Sequence, residues 1–398
     1  MAPTALEAPA RLSKARKAFN LFAISFAFLA VFANAAIPTP LQAEYRALYD
    51  ITDADISFAL TIYTLGEIGV LCFMGTLSDA LGRKPLTLLA MAVGAASCFA
   101  FLAINGPAML TLARTLQGIA CGLTMSAIAA WVIDSSKGRL LLAGTIIAGN
   151  GSLIGVTIGS LGVGALCVAT PNHQLVYWIM IAVFAAAALL TLFTTETVRQ
   201  RISLRQAIKP VVHIEPQLRG VFPIAAACYV VVWGMATYFQ SYASPVCADC
   251  FGIVMPLAAS ILMVVANAPT AFGAPLESRF RSGLSARVAM TAFVLSCAGM
   301  AATMRLGTFI PFLVFTALFA ASAGMCVAAG LRLLLARSEG LSSAKVVSTI
   351  NLAGYVGTAI LTALMSALVG TLGLIGVLVF LTLISAGAAA LVFARTRE

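Results

Sequence analysis

Two charged residues, Glu67 and Arg114, interrupt long apolar stretches of the sequence. A charge inside hydrocarbon is costly unless it is paired or hydrated, so each residue is a candidate functional group. Their opposite signs favour a pair in which Glu67 carries a coupling proton and Arg114 approaches and withdraws as the protein changes conformation. The alternative is a protonated Glu67 that only bonds to a neighbouring helix. The first reading predicts proton coupling by Glu67 and Arg114.

A second charged pattern lies in a connection between two apolar stretches and occurs twice. A glycine, an acid four residues on and an arginine four residues later recur after an offset of 198 residues, almost half the chain. Such a turn can hold two helices together in one state and release them in another. A capped turn with basic residues near the lipid surface is the alternative. The predicted conformational latch comprises Gly75, Asp79, Gly82, Arg83 and Lys84, then Gly273, Glu277 and Arg281.

Polar and aromatic side chains in the middle of apolar stretches are candidates for a substrate cavity. An amide inside the membrane needs a partner, which is either another helix or a bound compound. Aromatic side chains with polar tips can instead anchor a helix at the membrane interface. The predicted cavity residues are Asn34, Gln117, Asn150, Tyr229, Trp233, Asn267 and Asn351.

Cysteine and histidine positions give one further expectation. Cys247 and Cys250 fall together in a predicted outer loop, where oxidising conditions favour a local disulfide. A metal site there would need two further ligands, but His213 is predicted on the opposite side of the membrane, and His173 is expected to be a solvated residue of an outer loop. We therefore expect no metal and no cofactor.

The composition of the chain indicates the environment in which these residues lie. Of 398 residues, 61% are hydrophobic and 10% are charged, with a mean hydropathy of +1.02. Soluble domains carry about 25% charged residues, so a soluble enzyme is excluded. The net charge of +10 does not indicate nucleic-acid binding, because the basic residues form no continuous face. Intramembrane hydrolysis is also disfavoured, since the spans lack a Ser-Lys, His-rich or paired-Asp constellation.

The apolar stretches predict an all-α protein with twelve membrane helices in two pseudo-symmetric bundles of six. We expect a leader over 1–17, a first bundle over 18–198, a linker over 199–219 and a second bundle over 220–398. The chain is expected to be a monomer in the lipid bilayer. The spans are predicted near 18–38, 55–75, 86–104, 108–132, 140–166, 175–195, 220–244, 252–275, 284–304, 308–335, 345–369 and 371–394.

The basic residues also predict the orientation. With both termini in the cytoplasm, only Arg46, Arg114 and Arg305 of the 24 basic residues fall outside or within the membrane. The basic start followed by an apolar stretch also resembles a secretory signal. Its cleavage would leave eleven spans and break the six-plus-six symmetry, so we expect an uncleaved chain.

Two motifs resemble those of the major facilitator superfamily. The stretch from Gly75 to Lys84 is similar to that family's G-x-L-x-D-x-x-G-R-K signature between the second and third helices. Leu112 to Gly118 is similar to its fourth-helix motif with an embedded arginine. Residues 36–41 and Glu196 are similar to the twelve-helix drug:proton antiporter branch. The resemblance implies a central cavity and alternating access driven by an ion gradient.

The function expected from this resemblance is secondary active transport, with proton-coupled efflux of small amphipathic compounds across a bacterial inner membrane. Val156 stands where that branch has a helix-five proline, which favours the alternative of a proton-coupled nutrient uptake symporter. The second latch copy also departs from the family pattern, with Pro275 and Phe280 in place of leucine and glycine. A receptor or scaffold without flux is a further alternative, which a two-state latch disfavours.

Overall fold

The protein is built from long helices that pair their backbone groups internally, as hydrocarbon requires. The computed structural model describes residues 13–74, 77–136, 140–198, 216–338 and 343–396. Within those ranges, all regular secondary structure is helical. Ten segments of this described part of the chain are long and apolar enough to cross a membrane.

Twelve long helices can be distinguished in the described part of the chain. The first six are α1 (Lys14–Ala36), α2 (Asp53–Met74), α3 (Arg83–Leu102), α4 (Pro107–Leu123), α5 (Leu141–Ala169) and α6 (Leu175–Leu192). The next four are α7 (Phe222–Pro245), α8 (Pro256–Asn267), α9 (Ser282–Arg305) and α10 (Phe309–Leu335). The stretch Ser343–Arg395 holds the last two, α11 (343–372) and α12 (374–395), which meet at Gly373 with φ 64° and ψ 178°.

Short elements extend or connect these helices. α4 continues through a π-helical turn, Thr124–Ile128, into the helix Ala129–Ser135. The other short elements are the 3₁₀ turns Thr39–Leu41, Pro216–Leu218 and Ala268–Phe272, the helices Gln42–Tyr49, Leu77–Leu81 and Gly273–Glu277, and the π turn Val246–Cys250.

Local sequence signals explain where several helices begin. Pro107 and Pro256 are the first residues of α4 and α8, where a missing backbone N–H leaves no hydrogen bond unmade. A reciprocal cap precedes α2: Asp55 Oδ2 accepts from the Thr52 N–H at 2.9 Å, and Thr52 Oγ1 accepts from the Asp55 N–H at 3.2 Å. These caps place the start of α2 close to its predicted position.

The helices form two six-helix bundles, each with its own buried core. One apolar core draws its residues from 21–187 and another from 224–392, with a small cluster around Leu218, Tyr229 and Ile350. The predicted fold class is therefore confirmed, with helix ends that differ from the predicted spans by several residues. Residues 199–215, most of the predicted linker, lie outside the described chain, as do residues 1–12 of the leader.

Glycines bring α1 and α5 into close contact in the first bundle. A Cβ atom placed on Gly159 would lie 2.1 Å from the backbone oxygen of Ala33, and one on Gly155 would lie 2.9 Å from that of Leu29. Glycine allows this approach because it has no side chain. On the same helix, Gly162 has open space at the equivalent position.

The two bundles meet along α2 with α11 and along α5 with α8. Several bonds between bundles lie at the predicted outer end, which we define by the connections at 37–52, 103–106, 170–174, 246–255 and 306–308. They are Gln42 Nε2 to the Gln240 oxygen at 2.7 Å, the Ala43 N–H to Ser244 Oγ at 3.1 Å, Ser57 Oγ to the Thr362 oxygen at 3.1 Å, and Ser366 Oγ to the Ala54 oxygen at 2.8 Å. The outer end is therefore closed in this structure.

Candidate transport site

A buried carboxylate joins the two bundles. Glu67 lies on α2 and is 4% exposed. Its Oε1 accepts a hydrogen bond of 2.9 Å from the hydroxyl of Tyr355 on α11. Because α2 and α11 belong to different bundles, any movement that separates these helices must break or lengthen this bond.

Two aromatic residues of α7 lie in a row beside Tyr355. The Trp233 ring lies edge-on to Tyr355, with centroids 4.8 Å apart, and is 5.6 Å from Tyr229. A Cβ on Gly354 would lie 3.0 Å from the Trp233 ring, so this glycine gives the indole room. Glu67 thus lies at one end of a row of aromatic side chains from α7 and α11.

Sequence reasoning selected Tyr229 and Trp233 but missed Tyr355. Asn351, another predicted residue, is half-buried and lies one helical turn before Tyr355 on α11. That spacing places the two side chains on one face of the helix. A search for polar groups one turn from the predicted amides would have found Tyr355.

Arg114 bonds to the end of α1. Its Nη1 donates to the Ala35 backbone oxygen at 3.0 Å and to Gln117 Oε1 at 3.2 Å. Gln117 Nε2 in turn donates to the Asn34 backbone oxygen at 2.8 Å. The final carbonyls of a helix carry partial negative charge, so a cation and an amide stabilise them, and the Asn34 oxygen also accepts from the Ile37 N–H at 3.2 Å.

Glu67 and Arg114 are not in contact in this structure, and their joint role in proton coupling stays a prediction. The residue of α4 that faces Glu67 is Gly122, whose added Cβ would lie 3.0 Å from the Glu67 backbone oxygen. Arg114 lies eight residues earlier, about 12 Å away along the helix axis. The opposite signs of the two charges suggested a contact that the helix alignment prevents.

Asn34 and Gln117 contact helices of the first bundle rather than an open cavity. Asn34 Nδ2 donates to Ser97 Oγ at 2.9 Å, and its Oδ1 accepts from Cys98 Sγ at 3.2 Å. Both Asn34 and Gln117 are almost completely buried. The prediction that they line a cavity is therefore corrected: in this structure their amides join α1, α3 and α4.

Two other predicted amides differ from these. Asn267 lies at the end of α8 and donates to the backbone oxygen of Met263 in its own helix at 2.7 Å. Asn150 lies on α5, but its side chain is outside the described part of the structure. Neither observation brings these residues to Glu67.

The first latch copy is tied to the end of α6 by Glu196. The Lys84 backbone N–H donates to Glu196 Oε2 at 2.9 Å, close to the start of α3, and the Lys84 ammonium donates to the Leu192 backbone oxygen. Gly82 has a φ of 104°, and a Cβ there would lie 2.8 Å from the same carboxylate oxygen. A carboxylate at a helix N-terminus is stabilising, so Glu196 fastens α6 to α3. Arg83 begins α3, whereas Gly75 and the Asp79 side chain lie outside the described residues.

The second latch copy contains an ion pair that the sequence did not predict. Arg332 Nη1 on α10 donates to the buried Glu277 carboxylate at 3.0 Å and to the Phe280 oxygen at 3.1 Å. Ser285 Oγ donates to the same carboxylate oxygen at 2.8 Å. Gly273 allows the backbones to approach, because its added Cβ would lie 2.1 Å from the carbonyl carbon of Gly324 on α10.

Arg281 was predicted to act with Glu277, but the cation at that carboxylate is Arg332. The helix ends at Glu277, and Arg281 has extended backbone with φ −65° and ψ 147°, which leaves it exposed before α9. The sequence did hold a signal for Arg332. The 198-residue repeat offset aligns it with Asp134 at the end of the extended α4, so a charged residue stands at this position in both halves. The two copies therefore carry opposite charges at that position.

We expect Arg332→Gln to lower thermal stability, because the buried Glu277 would lose its cation. The Arg332 side chain is 44% exposed, so the expected loss is about 1 kcal/mol rather than that of a fully buried pair. Thermal unfolding in detergent should show a lower Tm for Arg332→Gln and an unchanged Tm for the matched variant Arg281→Gln. Equal losses in the two variants would contradict this assignment.

Cys247 and Cys250 are free thiols in the structure rather than the predicted disulfide. Both lie in the π turn Val246–Cys250, and Cys247 is buried. Among the described residues there is no group of three His, Cys, Asp or Glu side chains that could hold a metal ion. His173 instead contacts the Glu44 carboxylate.

The family model described as Major Facilitator Superfamily matches residues 21–301, more than half of the chain. The chain belongs to the major facilitator superfamily. As a member of the major facilitator superfamily, it is a multi-pass membrane transporter and not an enzyme. This agrees with the two bundles described above.

Curated relatives within the superfamily match part of the chain. It is 27% identical over 185 residues to the multidrug transporter MdfA of Edwardsiella ictaluri (strain 93-146), covering 46% of this chain and 44% of the relative. It is 22% identical over 203 residues to the quinolone resistance protein NorA of Staphylococcus aureus (strain MRSA252), covering 50% of each. The match spans about half the length of these curated relatives.

Solved structures resemble this facilitator over nearly its whole length. The nucleoside transporter NupG, as the D323A mutant, superposes with a TM-score of 0.72 at 13% identity, covering 95% of this chain and 100% of the other. A bacterial homologue of the human lysosomal transporter Spinster, inward-facing and occupied, gives 0.70 at 16% identity, covering 97% and 98%. At these identities the likeness shows the fold.

Proposed function

We propose that this transporter exports small amphipathic compounds in exchange for protons by alternating access. The observation that carries the proposal is Glu67, a buried carboxylate bonded to Tyr355 of the other bundle. The proposal places the chain in a bacterial inner membrane as a monomer with both termini in the cytoplasm. Support comes from two of the relatives, a multidrug transporter and a quinolone resistance protein.

Protonation of Glu67 would be linked to conformation through its surroundings. A carboxylate at this depth requires a hydrogen-bond donor or water, and Tyr355 is that donor while α2 and α11 are in contact. When the helices part, the carboxylate loses Tyr355 and meets solvent, where it exchanges its proton. The proton thus binds or leaves at Glu67 Oε1 or Oε2 as the bundles move.

The aromatic row gives the substrate a binding surface. Tyr229 and Trp233 can stack against a flat or cationic compound once the bundles separate. Asn351 adds an amide on the α11 face next to Tyr355. Occupation of this surface by a cationic compound and protonation of Glu67 would oppose each other, because a nearby positive charge favours the ionised carboxylate.

Arg114 and the latch residues act as positioning groups in this proposal. Arg114 fastens the end of α1 to α4, and Glu196 fastens α6 to α3. Each bundle then moves as one body, and the movement is concentrated at the contact between α2 and α11.

Inverted membrane vesicles with an acidified interior test this proposal. On addition of a quinolone outside, we expect protons to leave as the compound enters, which raises the internal pH. The measurement is the recovery of a quenched pH-sensitive dye, with vesicles lacking the protein as the control. Further acidification on addition of the compound would contradict antiport.

A second candidate is proton-coupled nutrient uptake on the same fold. The observation that favours it is Val156, an interior residue of the uninterrupted helix α5, where the efflux branch has proline. The same assay separates the two functions, since a symporter moves protons in the direction of its substrate.

A further inference from the structure

A cavity of about 750 Å³ lies at the predicted outer end, between the two bundles. Its charged lining consists of Arg46 and Asp53 from the first bundle and Asp249 from the second, and its apolar lining includes Ile51, Val254 and Val369. Small-molecule sites typically have volumes of about 300–1,000 Å³ and combine apolar walls with a few polar groups.

The charges in this cavity do not balance. Arg46 Nη1 donates to Asp249 Oδ2 at 2.7 Å, and Arg46 Nε lies 3.4 Å from Asp53 Oδ1. The second contact is an ion pair by distance only, because Asp53 Oδ1 is a buried atom that accepts no hydrogen bond within the described structure. One guanidinium therefore faces two carboxylates, and the lining carries a net charge of −1.

The cavity is distant from Glu67. Asp53 and Glu67 lie on the same helix, 14 residues and therefore about 21 Å apart. The Asp249 side chain is 44% exposed, so a solute can reach its carboxylate. The outer cavity and the Glu67 contact can thus be examined separately.

We propose that this cavity binds an organic ammonium ion that enters from the outer side. The ammonium group lies between Asp53 and Asp249 and donates to their carboxylates, while the apolar part packs against Ile51, Val254 and Val369. The ammonium competes with Arg46 for Asp249. Binding therefore weakens the ion pair that joins the bundles at this end and favours their separation there. This site goes beyond the proposed export function and does not depend on the direction of transport.

Isothermal titration calorimetry of the full chain in nanodiscs tests the site, with benzylamine as the probe at pH 7, where it is protonated. We expect benzylamine to bind and the neutral benzyl alcohol and anionic benzoate not to bind. Asp249→Asn and Asp53→Asn should each lower the affinity for benzylamine by about fivefold or more, since each removes one charge partner.

Arg46→Gln should raise the affinity for benzylamine by about fivefold, because it removes the competing cation. A misfolded protein would lose affinity, so a gain cannot be explained by misfolding. Asp50→Asn is the matched control. Asp50 is an exposed acid at the same end that does not line the cavity, and asparagine tolerates its left-handed backbone. Its affinity should equal that of the unmodified protein.

Unchanged binding in both Asp249→Asn and Asp53→Asn would overturn the proposal, as would a lower affinity in Arg46→Gln. Loss of benzylamine binding in Glu67→Gln would also overturn it, because the probe would then occupy the central contact. Failure of the export proposal would appear instead in vesicle transport, which this binding experiment does not measure.

Discussion

Replacing Glu67 with glutamine is expected to abolish proton-driven accumulation while leaving the protein folded. Glutamine has nearly the same shape, and its amide oxygen can accept the hydrogen bond from Tyr355, so the contact between α2 and α11 is preserved. It cannot bind or release a proton in the physiological range. Transport by Glu67→Gln should therefore be independent of the pH gradient.

The size of this effect follows from the driving force. A proton crossing a gradient of about 100 mV supplies about 2.3 kcal/mol, which corresponds to an accumulation of roughly 50-fold. In inverted vesicles, Glu67→Gln should let the exported compound reach only equal concentrations inside and outside. The measurement is the steady-state ratio of internal to external compound with and without the gradient.

Two variants control this experiment. Glu44→Gln removes an acid at the outer end that contacts His173, and it should leave accumulation unchanged. Tyr355→Phe removes the donor but keeps the carboxylate, so coupling should persist while the contact between bundles weakens. If Glu67→Gln still accumulates compound with the same pH profile, Glu67 is not the coupling group.

The second large effect is expected at the seam between α1 and α5. Gly159→Ala adds a single carbon 2.1 Å from the Ala33 backbone oxygen, a distance that no relaxation of a side chain can relieve. The two helices must move apart, which typically costs about 1–3 kcal/mol. We expect a lower yield of folded protein and a Tm several degrees below that of the unmodified chain.

Gly162→Ala is the matched substitution because it adds the same carbon to the same helix, where nothing lies within 4 Å. Alanine favours a helix over glycine by about 1 kcal/mol, so this variant should be as stable as the parent or slightly more stable. Thermal unfolding of the pair measures the difference. Equal Tm values would show that α1 and α5 do not pack as closely as described.

The fold could be predicted from the sequence because its signals are local. Apolar stretches of the required length mark each helix, and the 198-residue repeat marks the two bundles. Proline at the start of α4 and the cap before α2 are equally local. None of these features depends on which helices become neighbours.

The site was only partly predictable because partners depend on helix rotation and alignment. Glu67 was identified by its depth, but its partner, Tyr355, is 288 residues away on another bundle. The position of Gly122 against α2 separates Arg114 from Glu67, and no pattern within α4 reveals that alignment. Likewise, Glu277 pairs with Arg332 because the intervening chain turns Arg281 outward.

The hydrogen bonds that close the outer end constrain the identity of some residues and not of others. Gln42, Ser57 and Ser366 donate to main-chain oxygens of the opposite bundle, those of Gln240, Thr362 and Ala54. Every residue type provides such an oxygen, so the accepting positions are free to diverge through evolution without loss of the bond. In these three bonds only the donors are constrained, whereas Ser244 Oγ and the Asp249 carboxylate are side-chain acceptors on which the closure also depends.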